Sequence, residues 1–104
     1  MFIFRAVNIY PGQIDHVLSQ IPRVGSEYQV HLFRREDGRD VMLIKVERTY
    51  DDSPDADRHL ADLVASEIRK QILVRAQVEV VDYGALPRTE RKSKRVFDHR
   101  TIEV

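Results

Sequence analysis

Six basic residues near the C-terminus, Arg88, Arg91, Lys92, Lys94, Arg95 and Arg100, follow the dipeptide Leu86-Pro87 and crowd cations into a Pro-led loop after a strand. Cations grouped in this way suit phosphates and carboxylates. A positioned ammonium does most where two anions must meet, because it stabilises the negative charge that gathers between them. Taken alone, the stretch reads as a solvated tail, with nucleic-acid phosphates as a second fit. Other candidate groups carry less. Asp51, Asp52, Asp55 and Asp57 cluster, but they lack the loop glycine and later bidentate glutamate of an EF-hand, and helix capping accounts for them. His16, His31, His59 and His99 show no metal-ligand spacing, no serine sits in a nucleophile-elbow context, and Tyr10 and Tyr28 read as core.

Composition narrows the setting of these groups. A chain of 104 residues is one domain, spanning 1–104, large enough to fold around its own core. It contains no cysteine, so disulfides and thiolate metal sites are excluded, and a reducing cytoplasm is the expected compartment. The apolar run Met1-Phe2-Ile3-Phe4 stops at Arg5, far short of the ~20 residues of a membrane span, so no membrane partner is expected. Formal net charge is zero, which leaves no broad attraction to nucleic acid.

Periodicity supplies the elements that position the groups. Phe2, Ile3 and Phe4 predict a short strand, after which the chain turns through Asn8 and Tyr10. Pro11 suits the first turn of a helix whose stripe is Ile14, Val17, Leu18 and Ile21, with Pro22 and Gly25 as the stop. Tyr28, Val30 and Leu32 alternate with polar residues, Met42, Ile44 and Val46 share a face, and Asp37-Gly38 predicts the hairpin between them. Ser53-Pro54 starts a second helix, with Asp55 and Asp57 at the positive end of its dipole and a stripe of Leu60, Val64, Ile68 and Ile72 beside Leu63. Val78 and Val80 mark a last strand before the basic loop.

The order strand, helix, strand, strand, helix, strand predicts an α+β fold, a ferredoxin-like βαββαβ sandwich with an antiparallel sheet and two helices on one face. Gln29, His31, Lys45 and Glu79, with Val41 and Leu43, fall on the other face. Such a face suits either simple exposure or docking. It supports one functional alternative, a free-standing binding or regulatory module that dimerises through its open sheet face. An RNA-recognition domain shares the topology, but Val41-Met42-Leu43-Ile44-Lys45-Val46 lacks stacking aromatics, so nucleic acid is not an expected partner.

Two motifs carry a family resemblance. Leu86-Pro87-Arg88-Thr89-Glu90-Arg91-Lys92-Ser93-Lys94-Arg95 resembles the closing motif of adenylate-forming ligases, most closely the phenylacetate-coenzyme A ligases, with Lys92 on the family's lysine. Arg5-Ala6-Val7-Asn8-Ile9-Tyr10-Pro11-Gly12-Gln13-Ile14-Asp15 is similar to the segment that opens the small C-terminal domain of those ligases. Ile21-Pro22 and Glu27-Tyr28-Gln29-Val30 resemble the family's intervening turn and strand, so the likeness runs through almost the whole chain.

The resemblance implies the mobile C-terminal, or lid, domain of an AMP-forming acid-thiol ligase that uses ATP and coenzyme A. Its substrate would be an aryl or acyl carboxylic acid, and the lid alone would not be active. Lys92 would be the catalytic residue, bridging the acyl carboxylate and the α-phosphate. Arg5, Ala6, Val7 and Asn8 would line the coenzyme A path. The partner would be a large N-terminal adenylating domain, in cis or in trans, absent from these residues and holding the Mg that accompanies ATP, with Met1 falling just after the hinge between the two. Two positions depart from the family pattern. Arg91 stands where a glycine usually precedes the lysine, and Ala6 replaces the glycine after Arg5, placing a methyl group where the pantetheine is expected to pass.

Overall fold

A computed structural model describes residues 2–49, 54–82, 84–86 and 96–100. Its first element is a hairpin. Strand β1 (Phe2–Phe4) pairs antiparallel with β2 (Val7–Ile9), with Phe4 opposite Val7 across the two-residue turn Arg5-Ala6. Both turn residues have positive φ, 49° and 66°, as the tight primed turns of hairpins require. Asparagine and glycine usually fill such positions, so Arg-Ala gives no sequence signal of the turn. The expected single strand is therefore half of a separate two-stranded sheet, and it does not enter the main sheet.

Helix α1 (Pro11–Ser19) starts at the proline, and Gln13 reaches back so that its Oε1 accepts the Tyr10 backbone N–H at 2.8 Å. That bond satisfies a donor at the helix entrance. Ile14, Val17, Leu18 and Ile21 form the buried stripe. Strands β3 (Val24–Arg34) and β4 (Asp40–Arg48) pair antiparallel around Asp37-Gly38, where Gly38 has φ +85°. The Gly38 N–H donates to the Arg35 carbonyl at 2.9 Å and closes the turn. Helix α2 (Pro54–Ile72) buries Leu60, Val64, Ile68 and Ile72 while Leu63 faces out, 46% exposed. Strand β5 (Gln77–Val81) then lies parallel to β4, and β6 (Val96–Asp98) lies parallel to β3.

The main sheet runs β5-β4-β3-β6. Val30 and Leu32 of β3 and Met42, Ile44 and Val46 of β4 join the stripes of both helices in one core, so the two helices cover one face. Full burial of each such side chain contributes about 1.5–3 kcal/mol. The α+β class with two helices on a sheet is as the periodicity predicts. The sheet itself is mixed, because a helical crossover from β4 returns β5 alongside β4 and parallel to it. No helix among the described residues is long and apolar enough to cross a membrane.

Candidate functional site

Lys92 lies outside the described residues, as do its neighbours from 87 to 95, and the chain on either side of that stretch is tied to the sheet. On the upstream side stands Glu47. By parity it belongs with Leu43 and Lys45 on the face away from the helices, yet it is fully buried. Its carboxylate explains why: Oε1 accepts the Gly84 N–H at 3.1 Å and Oε2 accepts the Leu86 N–H at 2.9 Å. A buried carboxylate needs such donors, and two backbone N–H groups supply them. The next residue, Arg48, is ion-paired with Asp82 after β5 and with Asp57 in the first turn of α2. Asp57 thus serves an ion pair as well as the helix dipole. Gly25 packs against the same place, where an added Cβ would lie 3.2 Å from the Glu47 carbonyl oxygen.

On the downstream side β6 is joined to β3, and the His99 N–H donates to the Leu32 carbonyl at 2.8 Å. Arg100 then gathers three elements. Its guanidinium donates to Asp98, to Asp40 at the start of β4 and to the Ile3 carbonyl of the hairpin. The Arg100 hydrogen bonds hold the Asp98 carboxyl down at a pKa of about 2 against the opposing effect of burial. Burial would raise Asp40, but the hydrogen bonds and charges of Arg34 and Arg100 outweigh it and lower its pKa.

The hairpin carries Arg5, Ala6, Val7 and Asn8. Arg5 donates through Nε to the Asp40 carbonyl at 3.0 Å, and its guanidinium carbon sits 5.4 Å from the centre of the Phe4 ring. Arg5 and Val7 line a cleft of about 280 Å³ whose other walls are Arg69, Leu73, Val74 and Arg75, at the junction of α2 and β5. Ala6 and Asn8 are exposed beside it and do not line it. Leu73 ends the helix in a left-handed conformation, φ 67°, and its N–H donates to the Arg69 carbonyl at 3.0 Å. Glycine normally takes that capping position, and an L side chain there costs about 1–2 kcal/mol. Leu73 bears that cost while 79% exposed. Cationic groups and an apolar side chain in one cleft are matched to a ligand that is itself anionic at one part and apolar at another.

Two of the scattered histidines meet on the open face. His31 Nε2 bonds Gln29 Oε1 at 2.9 Å, which leaves Nδ1 to accept from His99 Nε2 at 2.8 Å. Their rings, with Phe33 and Phe97, form a parallel stack with centroid spacings of 4.7–6.2 Å. Among the described residues no group of three or more metal-ligating side chains is assembled.

Residues 6–100 match the family described as AMP-binding enzyme C-terminal domain. The chain belongs to that family. This AMP-binding C-terminal domain is 34% identical to the phenylacetate-coenzyme A ligase of Thermus thermophilus, over an alignment that takes in 96% of the chain and 26% of that ligase. The chain thus spans about a quarter of the length of the curated relative. A domain of phenylacetate-coenzyme A ligase from Bacteroides vulgatus superposes with a TM-score of 0.86 at 33% identity, covering 97% of this chain and 93% of that one. 2-Hydroxyisobutyryl-CoA ligase, solved with 2-HIB-AMP and CoA in its thioesterification state, gives a TM-score of 0.87 at 32% identity, covering 96% of this chain and 21% of that one.

Glu47, Arg69, Arg75 and Asp40 have no motif that singles them out in the sequence, and Arg100 stands there only as one of the clustered cations, with nothing to mark its bonds to Asp40 and to the Ile3 carbonyl, 60 and 97 residues away.

Proposed function

We propose that this chain is the lid domain of an ATP-dependent aryl- or acyl-acid coenzyme A ligase, acting with a large adenylating domain outside these residues. The observation that carries the reading is the match, over nearly the whole chain, to a ligase domain seen with an acyl-AMP and CoA together. The Lys92 ammonium would lie between the substrate carboxylate and the α-phosphate, both anionic, and stabilise the charge that develops as they join. After that step the lid would turn about its hinge and present the Arg5–Asn8 hairpin, whose exposed turn would flank the pantetheine thiol. Glu47 and Arg48 hold the start of the lysine loop to the sheet, while Arg100 ties the hairpin to the same sheet. One rigid body would therefore carry both working surfaces. Mg would accompany ATP on the large domain.

Reconstitution with that domain tests the reading. Lys92→Ala should suppress acyl-adenylate formation while sparing thioester formation from supplied acyl-adenylate, and equal loss of both steps would refute the role. The 104-residue chain alone should form no acyl-adenylate.

A further inference from the structure

We propose that Asp40 and Arg100 are positioning residues that hold the Arg5-Ala6 turn in the orientation used by the thioester-forming half-reaction, an inference that rests on the lid-domain reading. Strand pairing does not orient the hairpin, because β1 and β2 form a sheet of their own. Two strands alone are marginal in water. Phe4 and Ile9 are fully buried in the shared core and fix how deep the hairpin sits. Apolar burial is non-directional, so it leaves the pitch of the turn open.

The directional bonds converge on one residue. Arg5 Nε donates to the Asp40 carbonyl at 3.0 Å, while Arg100 Nη1 donates to the Ile3 carbonyl at 2.7 Å and to Asp40 Oδ2 at 2.9 Å. The other carboxylate oxygen, Oδ1, accepts from Arg34 Nε at 3.0 Å. Asp40, at the start of β4, therefore fixes both the strand that enters the turn and the first residue of the turn itself. The Asp40 and Arg100 side chains are only 13% and 12% exposed. A buried ion pair is a poor source of stability, since apolar side chains of similar volume do as well or better, and its best-attested use is to specify one arrangement. The turn points the same way. Neither Arg5 nor Ala6 is glycine, yet both have positive φ, and strained backbone of this kind persists where its surroundings over-determine it.

Orientation matters most in the second half-reaction. There the thiol sulfur bonds to the acyl carbon, the bond from that carbon to the phosphate oxygen breaks, AMP leaves with the electron pair, and the thiol proton passes to water. A displacement of about 1 Å in the groups that align the reactants can slow such a step on the order of 100-fold. Asp40 and Arg100 touch no reacting atom and act through the turn. Adenylation draws on the lysine stretch instead, whose ends are tied to the sheet by Glu47 upstream and by the pairing of β6 with β3 downstream.

The test uses the chain reconstituted with its large domain, with pyrophosphate release from acid and ATP measured apart from thioester formation from supplied acyl-adenylate and coenzyme A. Asp40→Asn and Arg100→Gln should each lower kcat of thioester formation about tenfold or more. The KM for coenzyme A and the adenylation rate should stay within about twofold, and the double variant should be no slower than the worse single one, as expected of residues acting as a unit. Asp40→Asn keeps the side-chain shape and tests the device even if Arg100→Gln does not fold. Equal loss of both half-reactions, a raised KM with kcat unchanged, losses that multiply in the double variant, or failure of both single variants to fold would overturn the inference. Should Lys92→Ala separate the half-reactions while Asp40→Asn leaves thioester formation unchanged, only this inference fails. Should Lys92→Ala not separate them, the lid-domain reading fails first.

Discussion

Glu47 on β4 accepts the backbone N–H of Leu86, 39 residues further along the chain, at 2.9 Å through Oε2, and the neighbouring Gly84 N–H at 3.1 Å through Oε1. The carboxylate therefore sets where the chain stands just before the lysine stretch. Glu47→Gln keeps the shape but replaces one acceptor with an NH2 that faces a donor. A loss of about 1–3 kcal/mol in stability is expected by chemical denaturation, with faster hydrogen exchange at Gly84 and Leu86. Unchanged exchange at both amides would show that other contacts hold the segment.

Asp98 and Arg100 make a second linkage that pH should expose. The carboxyl of Asp98 is depressed from its ordinary value of 3.8 to about 2, so its pairing stabilises the fold above the unfolded value and is lost as pH falls from about 4 towards 2. Because the Asp98 side chain is 42% exposed, screening should hold its share to about 1 kcal/mol or less. Arg100→Gln should flatten the stability profile in that window and loosen the hairpin at Ile3, read by amide exchange. A profile unaltered by the variant would refute the linkage.

Leu73 and Ala6 occupy left-handed backbone without being glycine, at φ 67° and 66°. Replacing either with glycine removes a steric cost of about 1–2 kcal/mol and adds an unfolded-state entropy cost of about 0.5–1 kcal/mol. Leu73→Gly and Ala6→Gly should each leave stability equal or raised by up to about 1 kcal/mol in denaturant melts. Ala6→Val should lower it by more than about 1 kcal/mol, since a β-branched side chain tolerates the turn less well. A clear loss in both glycine variants would contradict the strain.

The pKa of His31 is lowered by burial, by the positive charge of Lys45 and by His99, against a smaller raising effect of Glu79. A histidine lowered in the folded state favours the neutral ring, so its contribution is complete above about pH 6.5 and declines as pH falls below that value. Titration of the His31 ring by NMR should give a midpoint below that of an exposed histidine. Lys45→Ala should move it upwards, and an unmoved midpoint would exclude the lysine as a cause.

Local physics in the sequence determined the two helices and the central hairpin. Ile14, Val17, Leu18 and Ile21, Leu60, Val64, Ile68 and Ile72, and the Asp37-Gly38 turn all declare their elements through neighbours a few residues away. The family also followed from two short motifs at opposite ends of the chain. Tertiary structure alone decided the rest. Arg5-Ala6 is a primed turn without the residues that advertise one, so β2 and the separation of the hairpin from the main sheet stayed hidden. The short strand Val96–Asp98 has too few residues to show a period, and its pairing depends on β3. Glu47 looks like a surface glutamate beside Arg48 until the Gly84–Leu86 segment covers it, and Arg5, Arg69 and Arg75 become one cleft only when α2 returns the chain to the hairpin. Periodicity encodes which face of an element is apolar. It does not encode which distant polar groups meet, because their positions follow from the packing of whole elements.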